Sequence, residues 1–216
     1  ARGAEVLTRI SEGGRYQLRF VVAALSLATA IGGPLGLISG YFGGWIDMVI
    51  QRITDIMLAF NPFLLALVLV AVLGVGLKSV IIAAGIGVTP QFIRLTRGQA
   101  LSLREQVYVE AAPAFGERSL TIISRHVLRN SWTPIIVFAT LNVGLTILVA
   151  AGLGFLGLGV QAPLPEWGTM LGEGRAYIFH ASYTTTLPGM AIFLGVLAFN
   201  MAGDGLRDAL DPSLRV

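Results

Sequence analysis

The stretch PIIVFATLNVGLTILVAAGLGFLGL, residues 134–158, contains no charged side chain. A helix needs about 20 mainly apolar residues to cross the hydrocarbon core of a bilayer, so this stretch is long enough to span a membrane. A transmembrane β-strand would instead alternate in polarity over about ten residues. The run LLALVLV at residues 64–70 shows no such alternation. The sequence therefore predicts an all-α membrane protein, a bundle of transmembrane helices.

The composition of the whole chain supports a membrane environment. Apolar residues make up 55% of the 216 positions, charged residues only 12%, and the mean hydropathy is +0.77. Soluble domains carry roughly 25% charged residues, which excludes an ordinary soluble protein. The chain has no cysteine, so disulfides, thiolate zinc sites and cysteine nucleophiles are excluded. A net charge of +3, without any lysine- or arginine-rich run, argues against a nucleic-acid partner.

Apolar segments divide the chain into five predicted spans. Their approximate limits are residues 20–41, 46–73, 79–97, 134–158 and 187–203. Prolines inside these segments (Pro34, Pro62 and Pro90) favour kinks, because each removes a backbone donor. Glycines recur along the first span, at positions 32, 33, 36 and 40, and small residues allow transmembrane backbones to approach closely. We expect most of them to serve helix packing.

Arginine placement predicts the orientation of the bundle. Six arginines lie in residues 94–130, whereas residues 159–186 contain only Arg175. Cytoplasmic loops of membrane proteins are enriched in arginine and lysine, so we place the loop at about residues 98–133 in the cytoplasm. Residues 1–19 are then an external segment and residues 204–216 a cytoplasmic tail. The four arginines of residues 1–19 oppose this bias, and we expect one further span ahead of Arg2 to explain it.

The cytoplasmic loop is the one sizeable polar block of the chain. Residues 98–115 and 120–128 each have helical character, and Gly116 permits a tight turn between them. Glu110 and the alanines beside it would give a narrow surface that another protein can approach. The chain has no Gly-x-x-x-x-Gly-Lys-[Ser/Thr] phosphate-binding loop. The loop would therefore receive work from outside, although an amphipathic connector lying on the lipid headgroups fits the same pattern.

Motifs along the chain resemble a known transporter family. The sequence Glu110-Ala111-Ala112-x-x-x-Gly116 resembles the EAA loop of the membrane subunits of bacterial ABC importers. Residues 110–130 resemble, more narrowly, the C-type permease subunit of dipeptide and oligopeptide importers. So do GYFGGW at residues 40–45, FLGLGVQ at 155–161, WGxML at 167–171 and GDGLRDALDP at 203–212. The resemblance covers essentially the whole chain in order.

The resemblance implies a type I ABC importer fold, a function and a set of partners. Glu110, Ala111, Ala112 and Gly116 would dock a coupling helix on a separate ATPase, and this chain would not itself be an enzyme. It would work in the bacterial inner membrane with a second permease subunit, two ATP-binding subunits, an external substrate-binding protein and a peptide substrate. ATP and magnesium would bind the ATPases, and this chain would hold no cofactor. Two positions depart from the family pattern: Arg129 replaces a usual proline, and Asn61 moves a kink by one residue.

Several other residues are candidate sites. Arg52 and Asp55, three residues apart near the cytoplasmic end of a span, would form a structural pair or a gate contact. In the external loop, Glu166, Trp167 and Glu173 would contact either the headgroups or a substrate-delivering protein. We expect no metal site, because His126 and His180 lie on opposite sides of the predicted membrane.

Two alternative functions remain open on the sequence. The same architecture could import another cargo, such as nickel or haem. A stand-alone channel or secondary carrier would require ionisable residues deep in the membrane for ion coupling, and spans one, four and five have none there.

Overall fold

A computed structural model describes residues 2–160 and 164–210. All regular elements within these ranges are helices, which confirms the predicted all-α class. In chain order they are α1 Arg2–Phe42, α2 Gly44–Leu58, α3 Pro62–Leu73, α4 Leu77–Arg104, α5 Val107–Ala111, α6 Ser119–Ile122, α7 Leu128–Phe155, α8 Trp167–Gly174 and α9 Tyr183–Leu210. Gln161 of one family motif and residues 211–216 of the predicted tail lie outside the described residues.

Four continuous helical stretches within the described residues are long and apolar enough to span a membrane. They are most of α1, all of α4, the unbroken run Ser119–Phe155 and α9, while α2 and α3 together make a fifth, bent span. The sequence predicts one kinked helix over residues 46–73, but α2 and α3 meet at 91°. The Asn61 side chain accepts a hydrogen bond from the Phe63 amide at 2.9 Å and so caps a new helix. Pro62 begins α3, where its missing N–H costs nothing.

Two other helices extend beyond their predicted limits. Helix α1 begins at Arg2, so the predicted external segment 1–19 is largely helical. Helix α4 continues through Pro90 to Arg104, so residues 98–104 belong to a long helix instead of the loop. A buried transmembrane helix tolerates proline, because its neighbours compensate for the lost hydrogen bond. The cytoplasmic loop is therefore shorter than the sequence suggests.

Glycines set the distance between α1 and α4. Gly32, Gly36 and Gly40 recur every four residues and face α4. A β-carbon at Gly32 would lie 2.7 Å from Phe92 Cβ, and one at Gly40 would lie 2.6 Å from the Arg97 carbonyl oxygen. Gly33, on another face of α1, has no such neighbour within 4 Å. The two helices pack backbone to backbone along this stripe, as small residues permit in membranes.

The main core lies where α1, α3, α4 and α7 meet. Its largest fully buried side chains include Phe92 on α4 and Ile147 and Leu153 on α7. Helix α9 packs against α7 and α8 but leaves most of its apolar surface exposed. Such a surface suits lipid or another membrane subunit. The helices that enter and leave the cytoplasmic loop, α4 and α6–α7, both reach this core, so the loop is attached to the centre of the bundle.

Candidate functional site

The loop between α4 and α6, which the arginine count predicts to be cytoplasmic, is a compact helical hairpin. Helix α5 runs directly into a 3-10 helix, Ala112–Phe115, which ends at Gly116. Gly116 has φ +80° and ψ 14°, a left-handed conformation that glycine adopts without steric cost. Its amide donates to the Pro113 carbonyl at 2.9 Å, and the Glu117 amide donates to the Ala112 carbonyl at 3.3 Å. The turn predicted at Gly116 is thus present.

The four predicted docking residues differ in their exposure. Glu110 and Gly116 are exposed, and Ala111 is half-buried. Ala112 is only 5% exposed, because it packs with Val109 and Ile122 in a small core inside the hairpin. In this conformation Ala112 supports the loop from within and is not on its surface. A partner would meet Glu110 and Gly116 first.

Three large apolar side chains that the sequence analysis did not single out project from the loop. Val107 is 81% exposed, Phe115 is 87% exposed and Leu120 is 70% exposed. Val107 and Phe115 belong to the loop, and Leu120 lies in α6 just after it. The sequence gives little sign of this exposure, because apolar residues at helical positions would also fit a buried face. Large exposed apolar groups mark surfaces that contact other proteins.

Polar contacts brace the two arms of the hairpin. Glu117 Oε2 and His126 Nε2 lie 3.0 Å apart, both part-buried. The Asn130 side chain donates to the Tyr108 hydroxyl at 3.2 Å and to the His126 carbonyl at 2.7 Å. On the other side, Arg104 Nη1 donates to the Tyr41 carbonyl of α1 at 3.2 Å. The first two contacts join the loop to the base of α7, and the third joins the end of α4 to α1, whose Tyr41 also packs against the small core of the hairpin.

No break separates the loop from the span that follows it. Residues Ile123–Val127 form one π-helical turn, and the helix then continues through Arg129 and Pro134 to Phe155. The direction of the exit from the loop does not follow from the sequence, because Arg129 replaces a usual proline. In the structure the second short helix and the span form one continuous helix.

A second polar cluster lies where α2 crosses α4, and it corrects one predicted contact. The sequence pairs Asp55 with Arg52, but Asp55 instead accepts a hydrogen bond from Arg94 Nη2 at 2.7 Å. Arg52 is exposed and forms no ion pair with any described residue. Neighbours in sequence could not reveal this pair, because its partners are 39 residues apart.

The strongest ion pair of this cluster was not anticipated from the sequence. Arg97 on α4 donates to both carboxylate oxygens of Asp47 on α2, from Nε at 2.6 Å and from Nη2 at 2.7 Å. Such two-point contacts between guanidinium and carboxylate are stronger and more directional than single ones. Ser39 of α1 also donates to Asp47, and Gln51 donates to Ser39 at 2.9 Å. Three helices meet at this cluster.

On the opposite side of the bundle, the predicted contact residues divide into buried and exposed ones. Glu166 is buried and caps α8, accepting hydrogen bonds from the Gly168 and Thr169 amides and from the Thr169 hydroxyl. Burial raises the pKa of Glu166 above its ordinary value, although these hydrogen bonds oppose the shift. Glu166 is therefore a structural cap and does not offer a contact surface in this conformation.

Trp167 and Glu173 tie α8 to the beginning of α1. Trp167 Nε1 donates to the Ile10 carbonyl at 2.9 Å. Glu173 is exposed and lies 3.8 Å from Arg9. Of the three predicted contact residues, Glu173 is the one that a partner could reach without rearrangement.

Comparisons with known proteins agree with this architecture. The family model described as "Binding-protein-dependent transport system inner membrane component" matches residues 32–216. The chain belongs to this family. It is a permease subunit of an ABC importer, located in the bacterial inner membrane, and it works with ATPase and binding-protein components; it is not itself an enzyme. The resemblance drawn from the sequence motifs is thereby confirmed.

Two relatives and one solved structure show how far the similarity extends. The permease is 52% identical over 213 residues to the dipeptide transport system permease protein DppC of Alkalihalophilus pseudofirmus, covering 99% of this chain and 70% of that protein. It is 45% identical to the glutathione transport system permease protein GsiD of Pectobacterium atrosepticum, covering 99% and 71%. A structure titled as an inward-facing conformation of the MetNI methionine ABC transporter matches with a TM-score of 0.74 at 18% identity, covering 95% of this chain and 97% of that one. At that identity, the structural match speaks for the fold alone.

Proposed function

We propose that this permease forms half of the translocation pathway of an importer for dipeptides and oligopeptides, driven by ATPases that dock on the loop between Arg104 and Ser119. The observation that carries the docking proposal is the exposure of Val107 and Phe115 on this loop and of Leu120 just after it. Glu110 lies on the same hairpin and offers a carboxylate to a basic group of the partner. An apolar contact with a charged residue beside it is a common composition for a protein interface.

The peptide cargo is supported by the relatives. Proteins named as dipeptide and glutathione permeases match nearly the full length of this chain at 45–52% identity. The subunit composition follows the same analogy: a second permease completes the pathway, two ATPases bind ATP and Mg²⁺, and an external protein delivers peptide. No phosphate-binding loop occurs in this chain, which is consistent with nucleotide binding elsewhere.

The mechanism follows from how the loop is attached. Closure of the ATPases on ATP would displace the hairpin. Its second arm, α6, continues without a break into α7, and its small core packs against Tyr41 of α1. Opening of the pathway to one side or the other is then a two-state equilibrium that ATP biases.

A matched pair of phenylalanines tests the docking surface. Phe115 on the loop and Phe179 on the opposite side of the bundle are 87% and 95% exposed. We expect Phe115→Ser to reduce co-purification of the ATPases with the reconstituted complex, and Phe179→Ser to leave it unchanged. Equal ATPase recovery with both variants would contradict docking at this loop.

The turn at Gly116 provides a second test. Proline cannot adopt φ +80° and lacks the N–H that binds the Pro113 carbonyl. Gly116→Pro should abolish peptide-stimulated ATP hydrolysis and uptake in proteoliposomes, whereas Gly116→Asn, which tolerates the left-handed region, should retain most of both. Unchanged activity of Gly116→Pro would refute the coupling role. Uptake of Ni²⁺ or haem in place of labelled dipeptide would overturn the proposed cargo.

A further inference from the structure

Helix α2 has few apolar contacts to hold it in place. Only Thr54 among its fifteen residues is buried. Two glycines with positive φ, Gly43 at 64° and Gly44 at 57°, precede the body of the helix. After it, the chain breaks and α3 leaves at 91°. A helix with a change of direction at both ends and little burial needs other contacts to fix its position.

Two ion pairs supply these contacts, and both lead to α4. Asp47 binds Arg97 through both carboxylate oxygens, and Asp55 binds Arg94 at 2.7 Å. The aspartates are eight residues apart on α2, or about 12 Å along the helix axis, and the arginines are about 4.5 Å apart on α4. A single contact would act as a pivot. Two separated contacts fix the angle between the helices as well as their distance.

The polar residues of α2 form one face, and that face meets α1 as well. Asp47, Gln51 and Asp55 recur every four residues, which places them in a row along the helix. Gln51 and Asp47 both bond the Ser39 hydroxyl of α1. The opposite face of α2 consists of exposed apolar side chains such as Val49 and Ile53. The ion pairs and the Ser39 contacts are thus the main attachment of α2 to the bundle.

Helix α4 differs from α2 in both burial and connection. It has twelve buried residues and ends at Arg104, directly before the loop. We propose that Asp47, Asp55, Arg94 and Arg97 are positioning residues of transport, which fasten α2 to α4 so that α2 moves with α4 whenever the loop is displaced. This inference rests on the proposed function in one respect, namely that the ATPases move the loop.

The Asp55–Arg94 pair is the better target for substitution. Both side chains are more than half exposed, 53% and 58%, so their loss leaves the fold intact. Asp55→Asn or Arg94→Gln should lower the initial rate of peptide uptake by up to about fivefold, the effect of losing one exposed ion pair from the moving unit. Basal ATP hydrolysis and ATPase co-purification should not change. The exchange Asp55→Arg with Arg94→Asp should restore uptake, and Arg52→Gln, which removes an unpaired charge from the same helix, is the matched control.

Cross-linking distinguishes two roles for the Asp55–Arg94 pair. The pair could hold α2 on α4 throughout transport, or it could have to break during transport. The chain contains no cysteine, so Asp55→Cys with Arg94→Cys adds its only two thiols. A bifunctional maleimide about as long as an arginine side chain should restore uptake above that of the unlinked double variant, because α2 and α4 then move together. Loss of uptake on cross-linking, or single variants with unchanged uptake, would overturn the proposal. Failure of the proposed function would be seen separately, as ATPase co-purification that Phe115→Ser does not affect.

Discussion

A single methyl group at Gly36 should separate α1 from α4. A β-carbon built there would overlap Thr96 Oγ1 and the Ile93 carbonyl oxygen, and would lie 2.9 Å from the Arg97 amide nitrogen. Two of these three atoms belong to the backbone of α4 and cannot rotate away. The helices must move apart, and Phe92 and Ala100, which are fully buried beside this contact, lose packing when they do.

The expected magnitude follows from comparison with Gly98, an exposed glycine in the interior of helix α4. Replacing glycine by alanine in a helix interior gains about 1 kcal/mol at either position. Overpacking a tight interior costs about 1–3 kcal/mol. This cost applies at Gly36 alone, because a β-carbon at Gly98 meets nothing within 4 Å. Both variants share the gain in helix propensity, so Gly36→Ala should be about 2 kcal/mol less stable than Gly98→Ala.

The assay is thermal unfolding of the assembled complex in lipid nanodiscs, with each variant purified in parallel. Gly98→Ala should melt at or slightly above the wild-type Tm, and Gly36→Ala clearly below it. Equal melting temperatures for the two variants would refute the close packing of α1 on α4. Gly36→Ala should also weaken the Asp47–Arg97 pair, because Arg97 belongs to the segment of α4 that must move.

Three further predictions concern the two ends of the bundle. Burial raises the pKa of Glu166, so the folded state holds the carboxyl proton more tightly than the unfolded state does, and the stability of the protein falls as pH rises from the unfolded pKa to the raised one. Glu166→Gln removes this effect, so the Tm of the variant relative to wild type should be higher at pH 8 than at pH 5. A difference in Tm that does not depend on pH would contradict this. Trp167→Phe removes the hydrogen bond to the Ile10 carbonyl and should cost about 1 kcal/mol in thermal unfolding, whereas an unchanged Tm would show that this bond contributes nothing. Glu117→Gln removes the charged partner of His126 and should lower peptide-stimulated ATP hydrolysis while leaving the basal rate intact; a parallel fall in both rates would indicate misfolding instead.

The sequence was sufficient for the class of fold. In a bilayer the backbone hydrogen bonds of a spanning segment can be satisfied only within a helix or a closed barrel, and the run at residues 64–70 lacks the alternation of a barrel strand. The turn at Gly116 was also predictable, because few residues other than glycine accept its backbone conformation. The fold class depends on local composition and the turn depends on one residue, and both can be read directly from a sequence.

What could not be predicted depends on contacts between distant segments. Asp55 has an arginine three residues away, yet its partner is Arg94 on another helix. Ala112 belongs to a docking motif but is buried, because Ile122 returns across the hairpin to cover it. The sharp bend at Asn61 was expected only as a kink, since the local pattern of an apolar run with one proline fits either outcome.

The helix from Ser119 to Phe155 is unbroken, so a change in its tilt at one end would displace the other end. Its 37 residues measure about 55 Å at 1.5 Å per residue, which exceeds the roughly 30 Å thickness of the hydrocarbon core. A tilt of about 5° at one end displaces the other by about 5 Å over this length. The π-helical turn Ile123–Val127 lies close to the end that joins the loop, so the longer part of the helix extends away from the loop. A small displacement at the loop would therefore be enlarged at the far end, where Gly154 contacts the Glu166 cap.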